Sequence, residues 1–378
     1  MKYILLLVLV GVAGWMFFSS EVLSFLGTKE KKQSYGTNVA TSSTSNKTQL
    51  TVNASKKNDI DAMALPEAKF IPNLAWVGQT FNNCSSVGLM ITLSYWGIKD
   101  TQEAIAEATR PFNNPKGNND DKSVTLYELA DYAQKKYGLV TYVRPNGDIE
   151  TLKKFVAHDI PVLTRALMYP EDDIVHYRVI RGYDDTKRIV IETDGIEGKK
   201  QPYSYETWMH MWKDFNYAYL IIVPEEKRLL AEKLLGESLD EKKAWVNAKE
   251  RAYKEMSSNP NDLRSNYNLI TALYYLGEHR STIEEFEKIE NKLTRRKLWY
   301  QPEPIDAYFK LGYDDKVIEH VDYIVNDNNK AVSELYVLTA KIHERRKMYK
   351  QAKAEYNKAI FYNEHLQSAE DGLLQLPK

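Results

Sequence analysis

Residues 78–97 read GQTFNNCSSVGLMITLSYWG, and this stretch decides the fold of its part of the chain. An apolar helix, Ser86 to Trp96, begins directly after a polar loop that ends at Cys84. The free N–H groups and the dipole of a helix start favour a thiolate, so this position predicts a lowered thiol pKa and a nucleophilic cysteine. The alternative is a small buried hydrophobic residue.

Residues 66–224, which surround this helix, have a mixed α/β pattern. A second helix is predicted from Thr125 to Tyr137, before Gly138. Strand-like runs follow at residues 161–167, 176–183, 188–192 and 217–223. The turn residues 184–187 join the middle two runs into a predicted hairpin. Helices followed by an antiparallel sheet predict an α+β domain.

The hairpin also brings a histidine and a carboxylate together. If the numbers of paired residues sum to 370, His176 faces Asp194, and if they sum to 371, the two are diagonal neighbours. Either register predicts a contact in which Asp194 orients His176 and His176 takes the thiol proton. A structural role for His176 and a simple turn at Asp194-Gly195 are the alternatives.

Gln79 lies five residues before Cys84. Its side-chain amide and the Cys84 backbone N–H are candidate donors to the oxygen of a tetrahedral intermediate. A solvated loop side chain is the alternative reading.

These motifs, taken in chain order, resemble those of the bacteriocin-leader-processing cysteine peptidases, a papain-like group. The resemblance covers about residues 70–224. It is carried by Gln79, by Asn83-Cys84 with its apolar helix, by IPVL at 160–163, by HYRVIRGYD at 176–184, by Asp194 and by YSYETW at 203–208.

The resemblance implies a papain-like cysteine peptidase that acts on a peptide or protein. Cys84 would be the nucleophile, His176 the base, Asp194 the orienting acid and Gln79 the oxyanion donor. The chain departs from the family in two places: Ser85-Ser86 replaces Gly-Pro, and Gly195 replaces the Pro that follows the acid. A catalytically silent binding module or scaffold is therefore a second hypothesis. No Gly-x4-Gly-Lys-Ser/Thr phosphate loop accompanies the domain.

Residues 225–378 lose all strand signals, and similar residues recur there every 35 positions. The columns are Gly277, Gly312 and Lys347; Thr282, Val317 and Ala352; Phe286, Val321 and Tyr356; Ile289, Ile324 and Ala359. They resemble tetratricopeptide repeats, whose period is about 34 residues. We expect an all-α helical-repeat domain that binds a peptide or protein partner and is separable from the first domain. Another helical bundle and pentatricopeptide RNA-binding repeats are the alternatives.

The N-terminal residues predict a membrane-directed segment. Tyr3 to Phe18 are almost continuously apolar, so residues 1–27 are interpreted as a signal anchor or a cleaved signal peptide. Residues 28–65 are rich in Ser, Thr, Asn and Lys and predict a flexible stalk. We expect a membrane-anchored protein outside the cytoplasm, secreted if the segment is cleaved. Lys29, Lys31 and Lys32 leave the orientation open.

Composition limits the remaining function classes. With 51 Lys and Arg against 52 Asp and Glu, the net charge is -1, so the chain has no excess of positive charge to attract nucleic acid, and no nucleic acid is expected as a partner. A single cysteine excludes an internal disulfide framework and a thiolate zinc site. The histidines show no metal-ligand spacing, so neither a metal nor another cofactor is expected.

Overall fold

The computed structural model describes residues 65–112, 123–325 and 330–377. Seven strands form one sheet in which every neighbouring pair is antiparallel. The strands are β1 (Ala68–Phe70), β2 (Val140–Arg144), β3 (Val162–Leu167), β4 (Val175–Asp184), β5 (Ile189–Asp194), β6 (Gly198–Ser204) and β7 (Tyr219–Val223). Their order is β2-β7-β3-β4-β5-β6, and β1 pairs with β4. The predicted antiparallel sheet is thereby confirmed.

The β4–β5 hairpin is present, but both predicted registers are wrong. Asp184 pairs with Ile189, a sum of 373, and Val179 pairs with Thr193, a sum of 372, because the register shifts between Ile180 and Gly182. The turn contains four residues, as predicted, but it lies at 185–188, one position later than the predicted 184–187. Three strands, β1, β2 and β6, were not predicted. The sequence of β6, GKKQPYS, is polar and mostly exposed, so it lacks the apolar alternation of a strand.

Five helices belong to the same part of the described chain as this sheet. The third begins with a capping box, in which Thr125 and Glu128 bond each other's backbone N–H groups, and it ends at Gly138 in the left-handed conformation (φ +66°). The five are α1 (Cys84–Tyr95), α2 (Gln102–Thr109), α3 (Leu126–Tyr137), α4 (Ile149–Ala157) and α5 (Tyr205–Trp212). Helix α1 therefore begins at Cys84 itself.

The remainder of the described chain is helical. Its helices are α6 (Arg228–Leu235), α7 (Glu241–Ser258), α8 (Leu263–Tyr275), α9 (His279–Glu287), α10 (Arg295–Tyr300), α11 (Glu303–Lys310), α12 (Asp314–Val325), α13 (Ser333–Arg345), α14 (Tyr349–Tyr362) and α15 (Gln367–Gln375). The turns of three helix pairs contain Gly277, Gly312 and Lys347, all with positive φ. The 35-residue columns thus mark equivalent turns. That these units are tetratricopeptide repeats stays a prediction.

The helical part and the sheet part share one hydrophobic core. The ring of Phe215 lies 6.1 Å from that of Tyr300, centroid to centroid, and both side chains are buried. The Tyr300 hydroxyl accepts a hydrogen bond from the Val175 N–H at 3.2 Å. Asn268 on α8 bonds the backbone of Asn216. These contacts argue against the expected separability of the two parts, although the domain boundary near residue 224 stays a prediction.

The predicted N-terminal segments lie outside the described residues, apart from residue 65 at the end of the stalk. Within the described ranges, none of the helices combines the length and apolar character that a membrane crossing needs. Anchoring by residues 1–27 therefore stays a prediction from the sequence.

Candidate active site

Cys84 lies at the N-terminus of α1, against strand β4. Helix and sheet approach closely at Gly88, where a Cβ atom would lie 2.9 Å from Leu163 Cδ1 and 3.4 Å from Tyr177 Cβ. The backbone N–H groups of Tyr177 and Ser85 are directed at the thiol. Tyr177 follows His176, so the glycine contact brings Cys84 to the strand that carries the candidate base.

The predicted lowering of the thiol pKa is wrong. Cys84 is only 3% exposed, and burial raises the pKa of its thiol to about 11. The charge of Arg110 and the two N–H groups act in the opposite direction but are outweighed. A helix start favours a thiolate, but here exclusion of water from the sulfur has the larger effect.

The structure brings His176 and Asp194 together as the sequence predicted. His176 Nε2 lies 3.0 Å from Asp194 Oδ2, and both side chains are buried. Burial lowers the pKa of His176, and the charge of Arg178 lowers it further, against the opposing effect of Asp194. A neutral His176 that donates its Nε2 proton to Asp194 keeps Nδ1 unprotonated and able to act as a base.

Asp194 is held by several donors. Its Oδ1 accepts hydrogen bonds from the backbone N–H groups of Ile196 at 2.6 Å and Glu197 at 2.5 Å. Burial raises the pKa of Asp194, but the hydrogen bond from His176, the charge of Arg178 and the hydrogen bond from the Glu197 N–H outweigh this effect, so the pKa lies below its usual range. Asp194 is therefore an anion that orients the imidazole.

Gln79 lies beside this acid. Its backbone N–H donates to the Gly195 carbonyl at 2.9 Å. Its side-chain Oε1 is buried without a hydrogen-bond partner among the described residues. A turn that is closed by the Asn83 N–H on the Thr80 carbonyl, at 3.1 Å, connects this loop to the helix start. All four residues singled out from the sequence therefore belong to adjoining segments of one region.

Two buried arginines in this region were not predicted. Arg110, 2% exposed, donates to Asn83 Oδ1 at 2.7 Å, and its charge acts on the thiol. Nothing in its sequence context indicates this role. Arg178 lies 3.4 Å from Asp194 Oδ2 through its Nε. Its position two residues after His176 was a usable signal, because residues i and i+2 of a strand share one face.

Two groups of side chains among the described residues have the spacing of metal ligands. Glu192, Asp194 and Glu197 form one, and the exposed Glu107, Glu364 and His365 form the other. In the first group Arg178 lies 3.4 to 3.8 Å from each carboxylate and supplies the positive charge itself. The second is an exposed cluster with no further feature of a site. We assign a metal to neither.

Comparison with known proteins agrees with this geometry. Residues 67–222 match the Peptidase_C39 like family. The chain contains a Peptidase_C39-like domain. The predicted family is thereby confirmed for this part of the chain, and the matched residues lie within the predicted range 66–224.

Solved structures similar to the Peptidase_C39-like domain include a putative C39-like peptidase from Bacillus anthracis, at 18% identity and a TM-score of 0.35, which covers 42% of this chain and 99% of that one. Another is the peptidase domain of Streptococcus ComA, a bifunctional ABC transporter involved in quorum sensing, at 20% identity and a TM-score of 0.31, covering 40% of this chain and 99% of that one. A search of curated proteins found no match to the chain.

Proposed function

We propose that the Peptidase_C39-like domain is a thiol peptidase that hydrolyses a peptide bond through an acyl-enzyme on Cys84. The observation that carries this proposal is the buried His176–Asp194 pair, with 3.0 Å between Nε2 and Oδ2, in which His176 lies on the strand next to the thiol. A histidine that is oriented by a carboxylate beside a cysteine at a helix start is the arrangement that activates a sulfur nucleophile.

The chemistry follows from the charge states. The thiol and the imidazole are both neutral at rest, since burial raises the pKa of Cys84 and lowers that of His176. His176 Nδ1 takes the thiol proton as the sulfur attacks the carbonyl carbon, and Asp194 stabilises the imidazolium. The Cys84 N–H and the Gln79 amide are the donors proposed for the oxyanion.

The second half of the reaction returns the site to its starting state. The imidazolium gives its proton to the leaving amine as the C–N bond breaks, which leaves a thioester on Cys84. His176 then takes a proton from water, whose oxygen attacks the thioester. The released thiolate recovers the proton, and the carboxylic acid product leaves.

A silent binding module is the second candidate. It is favoured by the raised pKa of Cys84 and by the departures at Ser85-Ser86 and Gly195. In that case the domain would hold a peptide without cleaving it. The thiol would then serve as the small buried residue that a lone cysteine commonly is.

Peptide cleavage by the full chain tests the proposal. A mixture of unstructured peptides of varied sequence is incubated with the protein, and new termini are identified by mass spectrometry. We expect cleavage that is lost in Cys84→Ala and His176→Ala and retained in His158→Ala, a histidine that caps α4. Absence of cleavage, or equal cleavage by Cys84→Ala, would favour the binding module.

Two further parts of the proposal rest on the sequence. The apolar run from Tyr3 to Phe18 supports a membrane-anchored protein outside the cytoplasm, and recovery of the chain in the soluble fraction without processing would contradict it. The 35-residue columns support a peptide or protein partner on the helical part. Peptides that crosslink to residues 225–378 of the full-length Cys84→Ala protein would identify such a partner.

A further inference from the structure

Arg178 shares Asp194 with the candidate base. His176 and Arg178 are two residues apart on β4, so their side chains lie on one face of the sheet. The same carboxylate oxygen, Asp194 Oδ2, lies 3.0 Å from His176 Nε2 and 3.4 Å from Arg178 Nε. The other oxygen is occupied by two backbone N–H groups. Hydrogen bonds from His176 and from two backbone N–H groups therefore hold Asp194, and the Arg178 guanidinium lies beside the oxygen that His176 contacts.

The guanidinium is itself fixed by the end of strand β3. Arg178 Nη1 donates to the Leu167 carbonyl at 2.9 Å, and Nη2 donates to the Met168 carbonyl at 2.6 Å. The side chain is fully buried, and its guanidinium lies 5.5 Å from the centre of the Tyr203 ring. Two hydrogen bonds hold the planar guanidinium of Arg178 in one orientation. The flexible ammonium group of a lysine would not be held in this way.

A second carboxylate competes for the same cation. Glu192 Oε1 lies 3.6 Å from Arg178 Nε, and the side chain is fully buried. Neither oxygen of Glu192 has a hydrogen-bond donor among the described residues, whereas Asp194 has three. When two buried carboxylates share one cation, the one with fewer donors keeps its proton. A protonated Glu192 can in turn donate to the neighbouring Glu197 carboxylate.

We propose that Arg178 is a positioning residue, which holds Asp194 ionised and directed at His176 while a protonated Glu192 leaves the guanidinium to Asp194. Its catalytic consequence rests on the proposed peptidase function. The cation also opposes a second positive charge on His176, so the base is kept neutral until it takes the thiol proton.

The pKa directions agree with this geometry. Burial raises the pKa of Glu192 to about 9, while that of Asp194 lies below its usual range. Other charges also act on Asp194, so its titration belongs to the cluster. The titratable groups that face it are Cys84, Tyr169, His176, Arg178, Glu192 and Glu197.

The test is an NMR titration of the His176 ring in the full chain, which needs no substrate. In Arg178→Met the His176–Asp194 pair should take up its proton about one pH unit higher than in the wild type, because an adjacent cation is lost. Arg178→Lys keeps the charge and should lie between the two. Glu192→Gln is the matched variant and should leave the titration unchanged, because it replaces a neutral acid with a neutral amide.

Two results would overturn the proposal. One is a folded Arg178→Met protein whose His176 titration matches the wild type. The other is a Glu192→Gln protein that shifts the titration, since Glu192 would then be ionised and paired with Arg178. If Arg178→Met does not fold, Arg178→Lys and Glu192→Gln decide the question. A protein that cleaves no peptide would refute the proposed function but would still yield this titration, so the two failures are distinguishable.

Discussion

The backbone N–H of Gln79 donates a hydrogen bond to the carbonyl oxygen of Gly195 at 2.9 Å. This bond ties the loop of the candidate oxyanion donor to the residue that follows the candidate acid, Asp194. A Cβ atom on Gly195 would lie 2.8 Å from Gln79 Cβ and 3.0 Å from Val87 Cγ1. The glycine that departs from the family sequence is thus the residue that lets the two loops meet.

Gly195→Ala is expected to lower stability by about 1–3 kcal/mol, since an added methyl group in a packed contact forces its neighbours apart. Thermal unfolding measures the effect. Gly78→Ala is the matched control in the same loop: its Cβ would have only Trp76 Cη2 within 4 Å, at 3.9 Å, so it should be tolerated. Equal stability of the two variants would mean that the Gln79–Gly195 contact is looser than described.

Cys84 is expected to react slowly with iodoacetamide at neutral pH. Because burial raises its pKa to about 11, from 9.0 for a free thiol, the thiolate fraction at pH 7 is about 100-fold lower than that of a free thiol. The rate should rise steadily above pH 8. Cys84 is the only cysteine, so no other thiol is labelled. The urea-unfolded chain is the control. A labelling rate that reaches its plateau below pH 8 would mean that the pKa of the Cys84 thiol is lowered, as the sequence predicted.

Glu192 is expected to make the protein less stable as the pH rises. Its pKa is raised by burial from 4.5 to about 9, so the stability that it contributes is complete below pH 4.5 and is lost as the pH rises towards 9. In Glu192→Gln, the free energy of unfolding should fall by up to about 1.4 kcal/mol less per pH unit than in the wild type.

Urea unfolding between pH 4 and pH 9 gives the measurement. The wild type and Glu192→Gln should have similar stability at pH 4 and should differ most at pH 9. Glu206→Gln, at an exposed position on α5, is the control and should follow the wild type. Parallel curves for wild type and Glu192→Gln would mean that Glu192 is ionised at neutral pH in the folded chain.

The candidate site was predictable because its residues carry local signals. Cys84 begins a helix, and the turn after Asp184 requires β4 and β5 to pair, so His176 and Asp194 had to come close. The predicted contact is present although both predicted registers are wrong. If the observed pairing is extended, Asp194 lies opposite Arg178 and is therefore a diagonal neighbour of His176.

The raised pKa of the Cys84 thiol and the complete burial of Arg178 and Glu192 were not predictable from such signals. A helix start is visible in a sequence, but the depth at which it is buried depends on packing across the whole domain. Charged residues in a strand are usually placed on its solvated face, whereas Arg178 and Glu192 are both fully buried. The shared core was missed for the same reason, since a repeat period describes contacts within the helical part only.

The last prediction concerns that shared core. Asn268 Oδ1 accepts from the Asn216 N–H at 3.1 Å, and its Nδ2 donates to the Lys213 carbonyl at 2.8 Å. Asn268→Ala leaves the buried Asn216 N–H and the partly buried Lys213 carbonyl without these partners and should cost about 2 kcal/mol. Because one core contains both parts, the loss should lower the midpoints of helix unfolding and of Cys84 exposure together.

Circular dichroism follows the helices, and iodoacetamide labelling of Cys84 during urea unfolding follows the peptidase-like domain. Asn266→Ala is the matched control on the same helix, because its side chain bonds only to the Pro260 and Asp262 carbonyls within the helical part. Asn266→Ala should change the midpoints of helix unfolding and of Cys84 exposure only slightly. If Asn268→Ala unfolds the helices while Cys84 stays protected, the two parts are independent units, as the repeat pattern alone had indicated.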